Sequence, residues 1–214
     1  MRIGVFKEKD SENRVSIVPN SVRKLVKAGY DVVIESGAGV RSNYQDSEYK
    51  SAGANVEDRG AVRDAEILVS IGFPNPDDIS EERIVVCIGD PFRNTDRIHI
   101  CNNKNATLLS LDMIPRRISR AQSMDVNSSQ DNLAGYKAVL LGASMVPKAV
   151  PMMTTSAGTV RPSKVVVMGS GVAGLQAIAT AKRLGAVVYA SDVRKSAAEQ
   201  IESVGGRFIH VDGM

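Results

Sequence analysis

Apolar residues come along this chain in short runs separated by polar turns. β-Branched and apolar runs at 3–6, 31–35, 67–71, 84–88 and 107–111 read as strands, as do Lys164–Met168 and Val187–Ser191. Between them the period changes. Val22, Leu25 and Val26 recur at helical spacing after Pro19, with Gly29 as a stop, and 46–52 reads as a short helix ahead of Gly53. Residues 133–150 read as a long helix capped by Ser128 or Asp131, with Ala134, Ala138, Leu141 and Met145 forming its apolar face. Another helix spans 173–184 on Leu175, Ile178 and Ala179, with Lys182 and Arg183 in its last turn and Gly185 after it. Strands alternating with helices predict an α/β protein with two parallel-sheet, Rossmann-like domains, 1–125 and 126–214.

Chemistry enters at residues 164–192, KVVVMGSGVAGLQAIATAKRLGAVVYASD. A buried-type strand runs straight into Gly169, Gly171 and Gly174, a helix follows, and a second strand ends at Asp192. In such a unit the first glycine permits the tight turn, the second lets backbone approach a pyrophosphate, and the third packs helix on strand. The helix N-terminus then offers free N–H groups to an anion. Asp192 lies 18 residues beyond Gly174, where a carboxylate accepts the adenosine ribose hydroxyls. That favours NAD over NADP, because a 2′-phosphate about 4 Å away would meet repulsion of roughly 1 to 4 kcal/mol per unit charge. Arg194 softens this preference by pairing with a phosphate.

Composition excludes more than it assigns. The 43% hydrophobic and 24% charged residues are those of an ordinary soluble protein, and 27 basic against 24 acidic residues call for no nucleic-acid partner. No apolar run approaches the ~20 residues that span a bilayer; the nearest, 138–153, is broken by Pro147, Lys148 and Pro151. The N-terminus lacks the apolar segment of a signal peptide. Cys87 and Cys101 form no disulfide framework or zinc set and read as buried thiols in a reducing compartment. Only 51 residues run from Lys164 onward, enough for two strands, two helices and the start of a third strand near 207–211. The expectation is therefore a dinucleotide domain represented by its first half.

Residues 113–135, MIPRRISRAQSMDVNSSQDNLAG, are polar and turn-forming, with Arg116, Arg117 and Arg120 beside Gln122 and Asp125; spacing alone reads them as a solvated linker. A resemblance changes that reading. KE and ENRV near the start, ESGAGV, RISRAQSMD, SSQDNLAGY and GSGVAGLQAIATAKRLGAVV together resemble the NAD(H)-binding domain I of proton-translocating NAD(P) transhydrogenase, a fold shared with alanine dehydrogenase. The likeness covers nearly the whole chain.

The resemblance implies a cofactor, NAD(H), and a site in the cleft between two domains. Arg117, in preference to Arg116, and Asp125 would hold the nicotinamide carboxamide, with Ile118, Ser119, Ser123, Met124 and Ser128 around it. Gln122 would reach toward NADP(H) on a partner domain and align the two rings. Gly169, Ser170, Gly171, Val172 and Gly174 would lie at the pyrophosphate, and Asp192, Val193 and Arg194 at the adenosine.

The implied activity is reversible hydride transfer between NADH and NADP⁺, coupled to proton movement through a membrane-spanning domain outside this chain. The implied partners are an NADP(H)-binding domain or β subunit and a second copy. The implied place is the cytoplasmic or matrix face of an inner membrane.

Alanine dehydrogenases carry a lysine and a histidine in the first domain. Here those stretches read SIGFP (70–74) and CIGDP (87–91), the only histidines are His99 and His210, and Arg14 remains of the substrate-carboxylate set. Oxidation of an amino acid needs proton management. Hydride transfer between two nicotinamides needs positioning and exclusion of water, and so no catalytic acid or base. Two rival readings are an alanine-dehydrogenase-like oxidoreductase and a non-catalytic NAD-binding fragment.

Overall fold

The computed structural model describes residues 1–116 and 118–210, which divide into two compact units, Met1–Asp125 and Val126–Met214. In the first, six parallel strands are β1 (Arg2–Val5), β2 (Asp31–Glu35), β3 (Asn55–Glu57), β4 (Ile67–Val69), β5 (Ile84–Cys87) and β6 (Thr107–Ser110). They stand in the order β3-β2-β1-β4-β5-β6, a doubly wound sheet whose direction of winding reverses between β1 and β4. Its helices are α1 (Pro19–Lys27), α2 (Asp46–Ser51), α3 (Arg59–Arg63) and α4 (Thr95–Asn103).

The central strands β1 and β2 of this sheet are buried on both faces, as crossover helices require, while the edge strands β3 and β6 hold no buried residue. Along β2, Val32 and Ile34 join Val22, Tyr49 and Ala52 in one cluster, while Val33 joins Phe6, Val62, Leu68 and Val85 in the other. Tyr49 is fully buried and donates its hydroxyl to the Ile17 carbonyl at 3.0 Å. Arg59 ties the layers at one end, bonding Glu35 at 2.8 Å and Asp78 at 2.6 Å with its guanidinium over the Phe6 ring.

Two corrections apply to this unit. The strands expected to reach 71 and 88 end at Val69 and Cys87, because the loops beyond them turn to meet Glu8 and Asp112. Elements β3, α3 and α4 lie where sequence periodicity gave nothing. β3 is a three-residue edge, and α3 has five residues and begins on the Asp58 carboxylate, which accepts from Ala61 N at 2.9 Å.

The second unit holds α5 (Val126–Met145), an antiparallel hairpin of β7 (Met153–Thr155) and β8 (Gly158–Val160), then β9 (Lys164–Met168), α6 (Val172–Arg183), β10 (Val187–Ser191), α7 (Ala197–Ser203) and β11 (Arg207–Phe208). The parallel sheet runs β11-β10-β9, and the register pairs Val166 with Tyr189 and Met168 with Ser191. Ile178, Ala181, Val188, Ala190 and Ile201 make its core, with Val165 and Val167 packed against it. The opposite face of β9 is open: Val166 is 62% and Met168 77% exposed.

Here the expected helix 133–150 begins seven residues earlier and stops at Met145, so Ser128 and Asp131 lie inside it and neither caps it. The segment 113–135 is correspondingly no continuous linker. The expected apolar face is also wrong, since Leu141 and Met145 are exposed while Gly135 is buried. Close backbone approach decides this: a Cβ on Gly135 would stand 2.1 Å from the Ala173 carbonyl oxygen, so α5 crosses α6 on its glycine side. The strand foreseen at 207–211 is seen as Arg207–Phe208, and its last position lies outside the described residues.

Candidate functional site

Strand β9 delivers the chain to Gly169, whose φ of +94° is the left-handed conformation that a side chain disfavours. Gly169 N donates to the Ser191 carbonyl at 2.8 Å, which fixes the turn against the end of β10. Gly174 is required for a different reason, because a Cβ there would lie 1.9 Å from the Gly169 carbonyl oxygen. Gly171 is required by neither. Its φ is −67°, and a Cβ built on it meets nothing among the described residues within 4 Å.

Gly171 is also the N-cap of α6, whose first turn has no side-chain cap among the described residues. The leading N–H groups therefore take no side-chain cap among the described residues, and the positive end of a 12-residue helix lies behind them. The Gly171 carbonyl accepts the first helical bond, from Leu175 N at 2.9 Å. That geometry is an anion cradle that backbone can line closely and a side chain would obstruct.

Asp192 stands at the end of β10, its side chain only 7% exposed. The Oδ2 atom accepts from Ser170 N and from Ser170 Oγ, both at 2.7 Å, and from Arg194 Nη2 at 3.2 Å. The Oδ1 atom accepts from Arg194 N at 2.9 Å and Arg194 Nε at 3.0 Å. The Arg194 guanidinium first, then the Ser170 and Arg194 N–H groups, hold the Asp192 carboxyl far below the usual carboxylate range, and the pairing raises Arg194 in turn. Ser170 is buried at 1% exposure, whereas Val193 is 72% exposed and open to a ligand. Sequence reasoning placed Ser170 and Arg194 at the cofactor but gave no sign that both already bond the carboxylate.

The loop residues proposed for the nicotinamide fall in the first unit. Ile118, Ser119, Gln122, Ser123 and Met124 are exposed, Gln122–Met124 forming one 3-10 turn. Asp125 is largely covered, its side chain 10% exposed, and pairs with Arg116 Nε at 3.5 Å. Arg117 lies outside the described residues. Ser128 follows in the first turns of α5, in the second unit.

The sheet reversal between β1 and β4 holds a crevice of only about 30 Å³ lined by Phe6, Glu8, Ser70 and Phe73, room for a water molecule. Its groups are engaged within the protein. Ser70 Oγ donates to the Gly72 carbonyl at 2.6 Å, and Glu8 accepts from Ile71 N at 2.5 Å, with burial raising its carboxyl. Arg14 forms a two-pronged pair with Glu12 at 2.9 and 2.6 Å. Asp112 accepts from the CIGDP loop, from Gly89 N at 2.9 Å and Asp90 N at 3.1 Å. In the second unit a larger space of about 740 Å³ is lined by apolar groups of α5, β9 and α6, among them Val139, Gly142, Val166 and Ala177. It includes neither Gly171 nor Asp192 and is an uncovered packing surface.

Comparison with known proteins gives concordant results. The family described as alanine dehydrogenase/PNT, N-terminal domain, matches residues 4–134, and its C-terminal domain matches 138–213. An NAD(P) transhydrogenase subunit alpha polypeptide of Rhodospirillum rubrum is 44% identical across 99% of this chain and 58% of its own length. A solved transhydrogenase of Sinorhizobium meliloti superposes with a TM-score of 0.95 at 45% identity, over 100% of this chain and 62% of its own. A solved L-alanine dehydrogenase superposes with a TM-score of 0.85 at 25% identity, over 98% of this chain and 61% of its own. The chain thus spans less than two thirds of the length of these relatives.

Proposed function

The chain belongs to the alanine dehydrogenase/PNT family, and we propose that it is the NAD(H)-binding component of a proton-translocating transhydrogenase. In this reading NAD(H) lies along the glycine turn, with its pyrophosphate over Gly171 and Val172, its adenosine ribose at Asp192, and its nicotinamide at the loop of Gln122 and Asp125. The observation that carries it is Gly171. Turn geometry explains Gly169 and helix packing explains Gly174, while Gly171 leaves the uncapped head of α6 without a side chain, which suits a group brought against the backbone.

The bound nicotinamide supplies the hydride chemistry. The protein's own part is to hold and orient: helix α6 neutralises the pyrophosphate charge with backbone N–H groups, Asp192 takes up the ribose hydroxyls, and Gln122 aligns the ring toward NADP(H) on a partner β-subunit domain. No side chain need accept a proton. The engaged state of Ser70, Glu8 and Arg14 supports this reading over oxidation of alanine, which requires groups free to bind an amino acid and move its proton. Among the described residues no helix is long and apolar enough to cross a membrane, so the reading assigns proton movement to a separate membrane-spanning partner. It makes this protein a peripheral component on the cytoplasmic or matrix face, working as a homodimer.

The test is calorimetric titration with NADH and NADPH, followed by stopped-flow hydride transfer after addition of an NADP(H)-loaded partner domain from a transhydrogenase. Tighter binding of NADH and transfer without L-alanine turnover are expected. Binding without transfer would leave a nucleotide-binding module, and NAD⁺-dependent oxidation of L-alanine would overturn the assignment.

A further inference from the structure

The Asp192 carboxylate is already full. A carboxylate offers about four lone-pair directions, and five donors converge on this one. Three of them cannot leave: Ser170 N and Oγ belong to a residue buried at 1% exposure, and Arg194 N is main chain. The other two, Nε and Nη2, belong to a guanidinium whose side chain is 56% exposed and free to swing into solvent. A ribose diol that is to donate to Asp192 must take the directions the guanidinium now holds.

We infer that Arg194 is a specificity-determining residue that competes with the adenosine ribose for Asp192 and narrows the preference for NADH over NADPH. The inference rests on the reading of Asp192 as the ribose carboxylate. For NADH, binding exchanges a charge-assisted guanidinium pair for two hydroxyl donors, so the arginine weakens the complex. For NADPH, the same guanidinium stays beside Asp192, shields its charge, and offers its outer N–H groups to the 2′-phosphate, a geometry that suits arginine. Removing the guanidinium therefore moves the two affinities in opposite directions, which loss of a merely structural contact does not do.

The experiment measures NADH and NADPH dissociation constants by calorimetry for the wild-type chain, Arg194→Met and Arg194→Lys. Arg194→Met keeps the aliphatic stem. It is expected to bind NADH about threefold more tightly and NADPH about threefold more weakly, raising the discrimination ratio roughly tenfold, with Arg194→Lys recovering most of the NADPH affinity. In parallel, the Arg194 Nε–H resonance, assigned by its loss in Arg194→Met, should exchange slowly in the free protein, exchange faster with saturating NADH, and stay protected with NADPH. An unchanged ratio, or equal weakening of both nucleotides, with NADH still bound by the wild type overturns the inference alone. Failure of the wild type to bind either nucleotide overturns the reading of the site and the inference with it.

Discussion

Two glycines on one helix give opposed predictions from the same substitution. Gly135 and Gly142 both lie in α5, and in each case alanine removes the entropic penalty of glycine in a helix, a gain of about 0.5–1 kcal/mol. At Gly142 nothing among the described residues lies within 4 Å of the added methyl, so Gly142→Ala should be stabilised by that amount. At Gly135 the methyl would meet the Ala173 carbonyl oxygen at 2.1 Å, its carbon at 2.8 Å and the Ala173 Cα at 3.0 Å, against 3.4–4 Å for ordinary contact. All three atoms are backbone of α6 and no side chain can yield, so the helices must part by more than 1 Å, estimated from those distances. Overpacking of this kind costs about 1–3 kcal/mol, which outweighs the helical gain and leaves Gly135→Ala destabilised by about 1–2 kcal/mol. For a unit of this size each kcal/mol moves the melting point by roughly 4–8 °C, so the two variants should melt on the order of 10 °C apart. Thermal unfolding followed by circular dichroism reads this directly. Should Gly135→Ala melt at or above the wild type, the close crossing of α5 and α6 is not what fixes this unit.

Asp192→Ala should weaken NADH binding and close the gap to NADPH in a calorimetric titration. Equal discrimination in the variant would remove Asp192 from the ribose site. Gln122→Asn should slow hydride transfer in stopped flow far more than it weakens NADH binding, since its role is alignment. The Asp192 carboxyl is held far down by its donors, so those bonds are intact above the ordinary carboxylate pKa of about 3.9 and are lost only as pH falls through the lowered value. NADH affinity should therefore show no Asp192 titration between about pH 5 and 8, and a midpoint in that window assigned to Asp192 by its loss in Asp192→Asn would contradict the bonding described. Burial pushes the Cys87 thiol up to about 12 and raises Cys101 as well, so neither should react with a disulfide reagent at pH 8 until the chain is unfolded by denaturant.

What the sequence made legible follows from how each element gains its stability. β1, β2 and β10 carry their own signal because a strand buried on both faces is a continuous apolar run, and β9 and α6 are marked by the glycines that a nucleotide-type turn needs at fixed offsets. The elements missed are held by particular side chains. α3 has five residues and starts on Asp58, and α4 spreads Ile98, Ile100 and Cys101 so that only Cys101 is buried. α5 misled because its apolar residues are mostly not its contact face; the signal was Gly135, which reads as a weak point until the Ala173 carbonyl is seen beside it. At the site, the spacing from Gly174 to Asp192 located the carboxylate, while its saturation by Ser170 and Arg194 depends on rotamers that no spacing encodes.

The open edge of β9 also bears on strand pairing. Among the described residues this edge pairs with no further strand, and with exposed Val166 and Met168 along it, it is a template on which another strand can be laid. Lys164 is the sole charge along it, so one cation at its entrance is what the strand itself offers against stacking of copies. A further parallel strand laid along that edge would extend the order β11-β10-β9 at its β9 end.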